Sequence, residues 1–143
     1  MKALTPREAS IFASFTDAVV APEPLLPPVR ETDAVVSFDD WISRAPRLNR
    51  VGMRSLLYLL EISPLLTTKE RTRLRRLDSA GRARWLHAIE HAKRRELRLA
   101  YKLMKGAAHL SYWGDDRVML KVGYDPDAVV RRGRELRRLE GRP

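Results

Sequence analysis

The residues best suited to chemistry sit in one short stretch, His87-Ala-Ile-Glu90-His91. The order H-x-x-E-H is the inverted zinc-peptidase signature, in which two imidazoles bind the metal and the glutamate acts as general base. On a helix, His87 and His91 stand one turn apart on one face, as two ligands would. A catalytic zinc also needs a third protein ligand and an open position. Downstream carboxylates of the usual length are Glu96, Glu135 and Glu140, with Asp115, Asp116, Asp125 and Asp127 as shorter ones. The competing reading is an arginine-rich helix surface that carries two histidines and an acid, because five-residue patterns recur by chance. We prefer the second reading and expect neither a metal nor a catalytic residue in this chain.

Other signatures are missing. The chain has no cysteine, which excludes disulfides, thiolate zinc sites and cysteine nucleophiles. Its seven glycines form neither GxGxxG nor a P-loop. No serine lies in the G-x-S-x-G context of a nucleophile elbow. Asp39-Asp40 and Asp115-Asp116 are adjacent acids whose side chains diverge, and they read as solvated residues or caps.

Charge gives a different lead. The formal net charge is +10 and the pI near 10.6, so the chain attracts nucleic acid, an anionic membrane surface or an acidic protein. The basic residues crowd into the second half. Between Lys69 and Lys105 there are 13 Lys or Arg against four acids, Glu70, Asp78, Glu90 and Glu96. The tail adds Arg131, Arg132, Arg134, Arg137, Arg138 and Arg142. A nucleic-acid surface would interleave aromatics to stack bases, whereas Trp85, Tyr101, Tyr112 and Trp113 fit helix packing better. A membrane-surface helix would want a Trp or Phe anchor, and Val129, Val130, Leu136 and Leu139 supply none. A basic helical nucleic-acid-binding module is kept as the alternative function.

The elements that must position these residues are helical. At 143 residues, one domain is expected. Leu4-Thr5-Pro6-Arg7-Glu8 is a strong helix start: Thr5 as cap, Pro6 at the first position and Glu8 reaching back. The same phrase commonly opens the helix-turn-helix of LuxR-type regulators. Here, however, the first helix ends near Val20 in a proline-rich loop, residues 21–31, with four prolines in seven residues, and nothing after it resembles a recognition helix. Ile11, Phe12, Phe15, Ala18 and Val19 form the apolar face of this helix.

Thr32 is expected to cap a second helix to about Arg44, with Val35, Phe38, Trp41 and Ile42 on one side. Pro46 starts a third helix, apolar nearly all round and therefore read as the most buried, and Pro64 stops it. Thr67 and Glu70 form a capping box for a short helix to Leu77. A long helical stretch runs from Ser79 toward Tyr112 with Trp85, Ile89, Ala92, Leu99, Leu103, Ala107 and Leu110 as its apolar series. Gly106 is a plausible break or close-packing point in it. Residues 114–125 read as an extended linker that contains the only β-like run, Arg117 to Tyr124. A basic helix occupies 126–140. The fold class is all-α: an irregular bundle of five or six helices.

The order of these features resembles the gluconate 2-dehydrogenase subunit 3 family. The matching pieces are Leu4-Thr5-Pro6-x-Glu8, Leu56 to Glu61, Leu77 to Leu86, Tyr112-Trp113 and Val122-Gly123-Tyr124. The resemblance implies a non-catalytic small subunit that clamps a large glucose-methanol-choline-type (GMC-type) flavoprotein dehydrogenase, with FAD on that partner and no cofactor here. Members with a twin-arginine signal accompany export; this sequence has no such signal and no apolar run long enough to span a bilayer, so a cytoplasmic complex is expected.

The residues point to an interface on their own account. Aromatics in the polar segment Ser111 to Tyr124 are the composition of interface anchors, although they can equally seal the end of the bundle. Leu25, Leu26 and Val29 of the stiff proline-rich loop have no obvious place in the bundle and lose little entropy on docking. The expected contact set is therefore Leu25, Leu26, Val29, Tyr112, Trp113, Val122, Gly123 and Tyr124.

Overall fold

A computed structural model describes residues 1–21, 23–69 and 71–141. Seven helices occur among them, and no strand: α1 (Pro6–Val20), α2 (Ala34–Ser43), α3 (Arg47–Thr67), α4 (Ser79–Glu90), α5 (Arg95–Trp113), α6 (Asp116–Lys121) and α7 (Pro126–Leu139). Two single 3-10 turns, Val29–Glu31 and Leu74–Arg76, lie in the connections.

The start of α1 is built as its sequence requires. The Thr5 hydroxyl accepts from the Glu8 N–H, and the Glu8 carboxylate accepts from the Thr5 N–H at 2.8 Å. Its apolar face, Ile11, Phe12, Phe15 and Ala18, is buried at the centre of the bundle, against α5 on one side and α3 on another. Phe12 stacks on Phe38 of α2 with ring centroids 3.9 Å apart. Phe15, Trp85 of α4 and Tyr101 of α5 meet edge to face, at 6.1, 6.3 and 6.4 Å pairwise, the geometry that ring quadrupoles favour.

Pro64 does not stop α3. A proline inside a helix leaves the carbonyl four residues back without its N–H. Here the Ser63 hydroxyl donates to that Leu60 carbonyl at 2.8 Å, and the Trp85 indole N–H donates to Ser63 in turn, also at 2.8 Å. The helix therefore continues one more turn to Thr67, where the Thr67 and Thr68 hydroxyls take the Ser63 and Pro64 carbonyls. Thr67 thus ends a helix instead of capping the next one, and its expected partner Glu70 lies outside the described residues. Nor is α3 the most buried element: Leu57 and Leu60 face inward, whereas Leu48, Val51, Tyr58, Ile62, Leu65 and Leu66 face out.

The long stretch from Ser79 breaks at residues 91–94, not at Gly106. Ala92 is buried at the corner, and the Arg98 guanidinium donates to its carbonyl and to that of Lys93, holding the turn closed. No glycine or proline marks the corner in the sequence. The region expected to be an extended linker, 114–125, contains α6 instead. Asp115 caps it by accepting from the Arg117 N–H at 2.9 Å. It ends in a Schellman motif: Gly123, at φ 78°, donates to Leu120 and Tyr124 donates to Met119. The second helix begins one residue later than expected, after Asp33, and its Trp41 points outward.

Buried charges fasten the ends of the bundle. Glu8 receives Arg54 at 2.8 Å, and Glu61 receives Arg75 at 2.9 Å. Asp39 accepts from the backbone N–H groups of Lys2, Ala3 and Leu4, which straps the N-terminal residues to α2. In contrast, α7 buries no residue at all.

Candidate functional site

The H-x-x-E-H residues are placed at the end of α4. His87 lies in the last turn and His91 is the C-cap, and the two imidazoles stand side by side on one face, as their spacing predicts. Their ring centroids are 4.6 Å apart, and the His91 Nδ1 faces the His87 carbonyl oxygen at 2.9 Å. That contact commits Nδ1 as a donor. Glu90 accepts from the Tyr101 hydroxyl at 2.8 Å and the Lys105 ammonium at 3.3 Å. The Tyr101 hydrogen bond, aided by Lys105, holds the Glu90 carboxyl below its ordinary range, which makes it a poorer base. Burial and the same hydrogen bond push the Tyr101 phenol up. Among the described residues no third His, Asp or Glu is grouped with the pair to complete a metal shell.

The eight residues expected to meet a partner divide into two sets. Val29 and Tyr112 are fully taken up inside the chain, where they form a small second core with Ala34 and Val118. The Tyr112 hydroxyl donates to the Pro27 carbonyl at 2.7 Å, so the ring pins the proline-rich loop to the end of α5. Its placement answers the second of the two roles open to it, sealing the bundle. Gly123 is the residue at positive φ that ends α6, so its type is set by the backbone. Leu25, Trp113, Val122 and Tyr124 remain exposed, and Leu26 is half-buried.

A knot of charge secures this second core. Asp115 accepts from the Asp33 N–H at 2.6 Å and pairs with Arg117, which reaches on to the Asp33 carboxylate at 2.6 Å. Burial pushes the Asp115 carboxyl up, but these hydrogen bonds outweigh it and hold the group below its usual range.

One unpartnered apolar feature is a face that sequence reasoning assigned to the core. Leu99, Leu103 and Leu110 do not face the bundle. The buried face of α5 is Leu97, Ala100, Tyr101, Met104, Ala107, Ala108 and Tyr112. The three leucines lie on the opposite side, Leu103 at 61% and Leu110 at 78% exposure, in line with Gly106 and Trp113. The positions 99, 103, 106, 110 and 113 follow spacings of four and three, the seam of a helix that packs on another helix. Beside this seam, α2 contributes Ser37 and Trp41, the latter 58% exposed. Together they shape an open groove of about 400 Å³ with an apolar lining. The signal for it was present in the sequence. Two interleaved apolar series run along α5, and a helix with only one buried side needs only one of them.

The two regions present two exposed imidazoles, a carboxylate already paired, and an apolar groove whose polar side chains are Ser37 and Ser111. No helix among the described residues is long and apolar enough to cross a membrane. No family model, curated protein or solved structure matches the chain.

Proposed function

We propose that this chain is a helical accessory subunit whose work is to cover a larger polypeptide, leaving turnover of substrate to that partner. The observation that carries the reading is the second apolar face of α5, which the bundle does not use. Contiguous exposed apolar surface on a folded chain marks a protein contact more often than anything else. The resemblance to the gluconate 2-dehydrogenase subunit 3 family supplies the partner's class: a large GMC-type dehydrogenase that holds FAD and oxidises an alcohol or sugar. The nucleic-acid alternative is weakened by the placement of the aromatics. Three of the five aromatics of the basic half, Trp85, Tyr101 and Tyr112, are buried and have no faces free to stack bases, which leaves Trp113 and Tyr124 exposed.

Co-expression with a GMC-type flavoprotein large subunit from the same source tests the reading. A yellow complex that keeps this chain through size exclusion at moderate salt supports it. Elution of the two polypeptides apart, or tight salt-sensitive binding of this chain to random duplex DNA, overturns it.

A further inference from the structure

We propose that the groove between α2 and α5 docks a single amphipathic helix with acidic flanks, contributed by another polypeptide. The inference rests on the reading of this chain as a docking subunit, and adds where the contact is and what it recognises.

Gly106 carries the first part of the argument. It sits in the middle of a nineteen-residue helix, and a Cβ built on it would meet nothing within 4 Å. No crowding inside the chain demands a glycine there, and glycine weakens a helix interior. Its position is on the floor of the groove, flanked by Leu103 and Leu110. A missing side chain at that point lets a second helix backbone approach closely, the use glycine serves wherever two backbones must come near. The leucines on either side then enter the gaps of the incoming helix as knobs.

Charge supplies the second part. Arg95 and Lys102, seven residues apart, run along the edge of the seam away from α2, and neither has an acidic partner among the described residues. On α2, Asp40 is held between Lys2 and Arg44, and at the start of α5 the exposed Glu96, one step before Leu99 on the seam, sets one acid beside Arg95. An apolar floor with unpaired Arg95 and Lys102 along one edge fits a helix with leucine-type residues on one stripe and Glu or Asp beside it. A second copy of this chain would bring a like seam and a formal charge of +10 against them. The chain's own spare helix, α7, is arginine-rich and fits no better. A nucleic-acid backbone would find leucine and glycine where it needs donors.

The test uses the full chain and two synthetic helical peptides with leucine at the a and d positions. One has Glu at e and g, the other Lys. Trp41 lines the groove and is exposed, Trp113 is exposed at the end of the seam and Trp85 is buried, so a blue shift of tryptophan emission reports docking. The acidic peptide is expected to give the shift, weakening as salt rises, and the basic peptide none. Gly106→Leu fills the floor from a position whose Cβ has open space around it. It is expected to bind the acidic peptide at least tenfold more weakly while raising the Tm by about 3 °C. Leu110→Glu is expected to lose binding with an unchanged melt. Equal binding of both peptides, wild-type affinity in Gly106→Leu, displacement of the peptide by duplex DNA, or a dimer of this chain dispersed by Leu110→Glu each overturns the inference. The two proposals fail separately. If the flavoprotein complex forms with Leu110→Glu as it does with the wild type, the groove is not the docking face although the subunit reading stands. If no flavoprotein joins the wild type but the acidic peptide docks, the groove inference stands and the partner class falls.

Discussion

Along its inner side α5 presents Leu97, Ala100, Tyr101, Met104, Ala108 and Tyr112, a mixture of small, long and aromatic side chains. Along its outer side it presents three leucines, a glycine and a tryptophan. The inner set is irregular because each residue answers a particular neighbour: Tyr101 meets Phe15 and Trp85 edge-on, and the small alanines accompany the close approach of α1. The outer set is regular because nothing inside this chain shapes it. A repeat of leucines at helical spacing is a general-purpose surface for another helix. The contrast teaches that hydrophobicity alone cannot tell a core face from a contact face. The size pattern within the face can.

The largest effect on this comparison should come from Trp85. Its ring closes the aromatic trio of the core, and its indole N–H holds Ser63, whose hydroxyl serves the Leu60 carbonyl that Pro64 leaves open. Trp85→Ala is expected to cost about 3–5 kcal/mol from the lost contacts and cavity. Leu103→Ala, equally a large-to-small change but on the outer side, is expected to cost under about 0.5 kcal/mol. Parallel urea titrations measure both. Equal losses would place the outer leucines in a core and remove the distinction.

A middling effect is expected at the carboxylates that fasten the bundle. Burial pushes Asp39 up, but the N–H groups of Lys2, Leu4 and Ala3 outweigh it, so its folded pKa lies below the ordinary 3.8. Glu8, through Arg54 and Thr5, lies below 4.5 in the same way. With folded values depressed, the unfolded chain takes up protons first as the pH falls. Stability from these groups is therefore fully present above about pH 5 and is lost through and below the ordinary carboxylate range. Asp39→Ala is expected to cost about 2 kcal/mol at neutral pH and to flatten the acid limb of a Tm-against-pH curve. An unchanged acid limb in the variant would mean that the strap on residues 2–4 contributes nothing. Substitutions on the groove side, by contrast, should leave that limb as it is.

How much of this was legible in the sequence follows the same division. Local rules with one dominant partner read correctly: the Thr5–Glu8 capping box, the apolar face of α1, and the Asp125-Pro126 start of α7. What misled were residues whose meaning depends on a distant group. Pro64 looks like a stop until Ser63 and Trp85 are brought beside it. Arg117 to Tyr124 looks like a strand until Asp115 caps it and Gly123 ends it in a left-handed turn. The corner at 91–94 has no punctuation because a single arginine side chain, Arg98, closes it in place of a glycine. The glutamate of the histidine motif depends on distant groups in the same way, since Tyr101 and Lys105 take Glu90 while the two imidazoles stay side by side. The outer face of α5 was visible as leucines and misassigned, because counting apolar positions at spacings of three and four does not ask which of two interleaved series is buried.

The smallest expected effect concerns α7, which sharpens the comparison from the other side. It has a good start, with Asp125 accepting from the Ala128 N–H at 3.0 Å and Pro126 at the first position, and it segregates its apolar and arginine residues onto opposite sides. Yet none of its residues is buried. Isolated helices of this length are marginal in water, because the cost of nucleation is not repaid by packing. Removal of the chain after Tyr124 is therefore expected to shift the stability of the bundle by less than about 0.5 kcal/mol. In the intact chain, amides of α7 should exchange with solvent nearly as fast as an unfolded peptide, while those of α5 are protected to the level of global unfolding. The outer leucines of α5 sit on a helix that the core already holds, so they are preorganised for a partner. The apolar residues of α7 are not, and would have to order on contact. If exchange shows α7 as protected as α5 in the isolated chain, its apolar side is already covered within this molecule, and only the groove remains as a surface awaiting a partner.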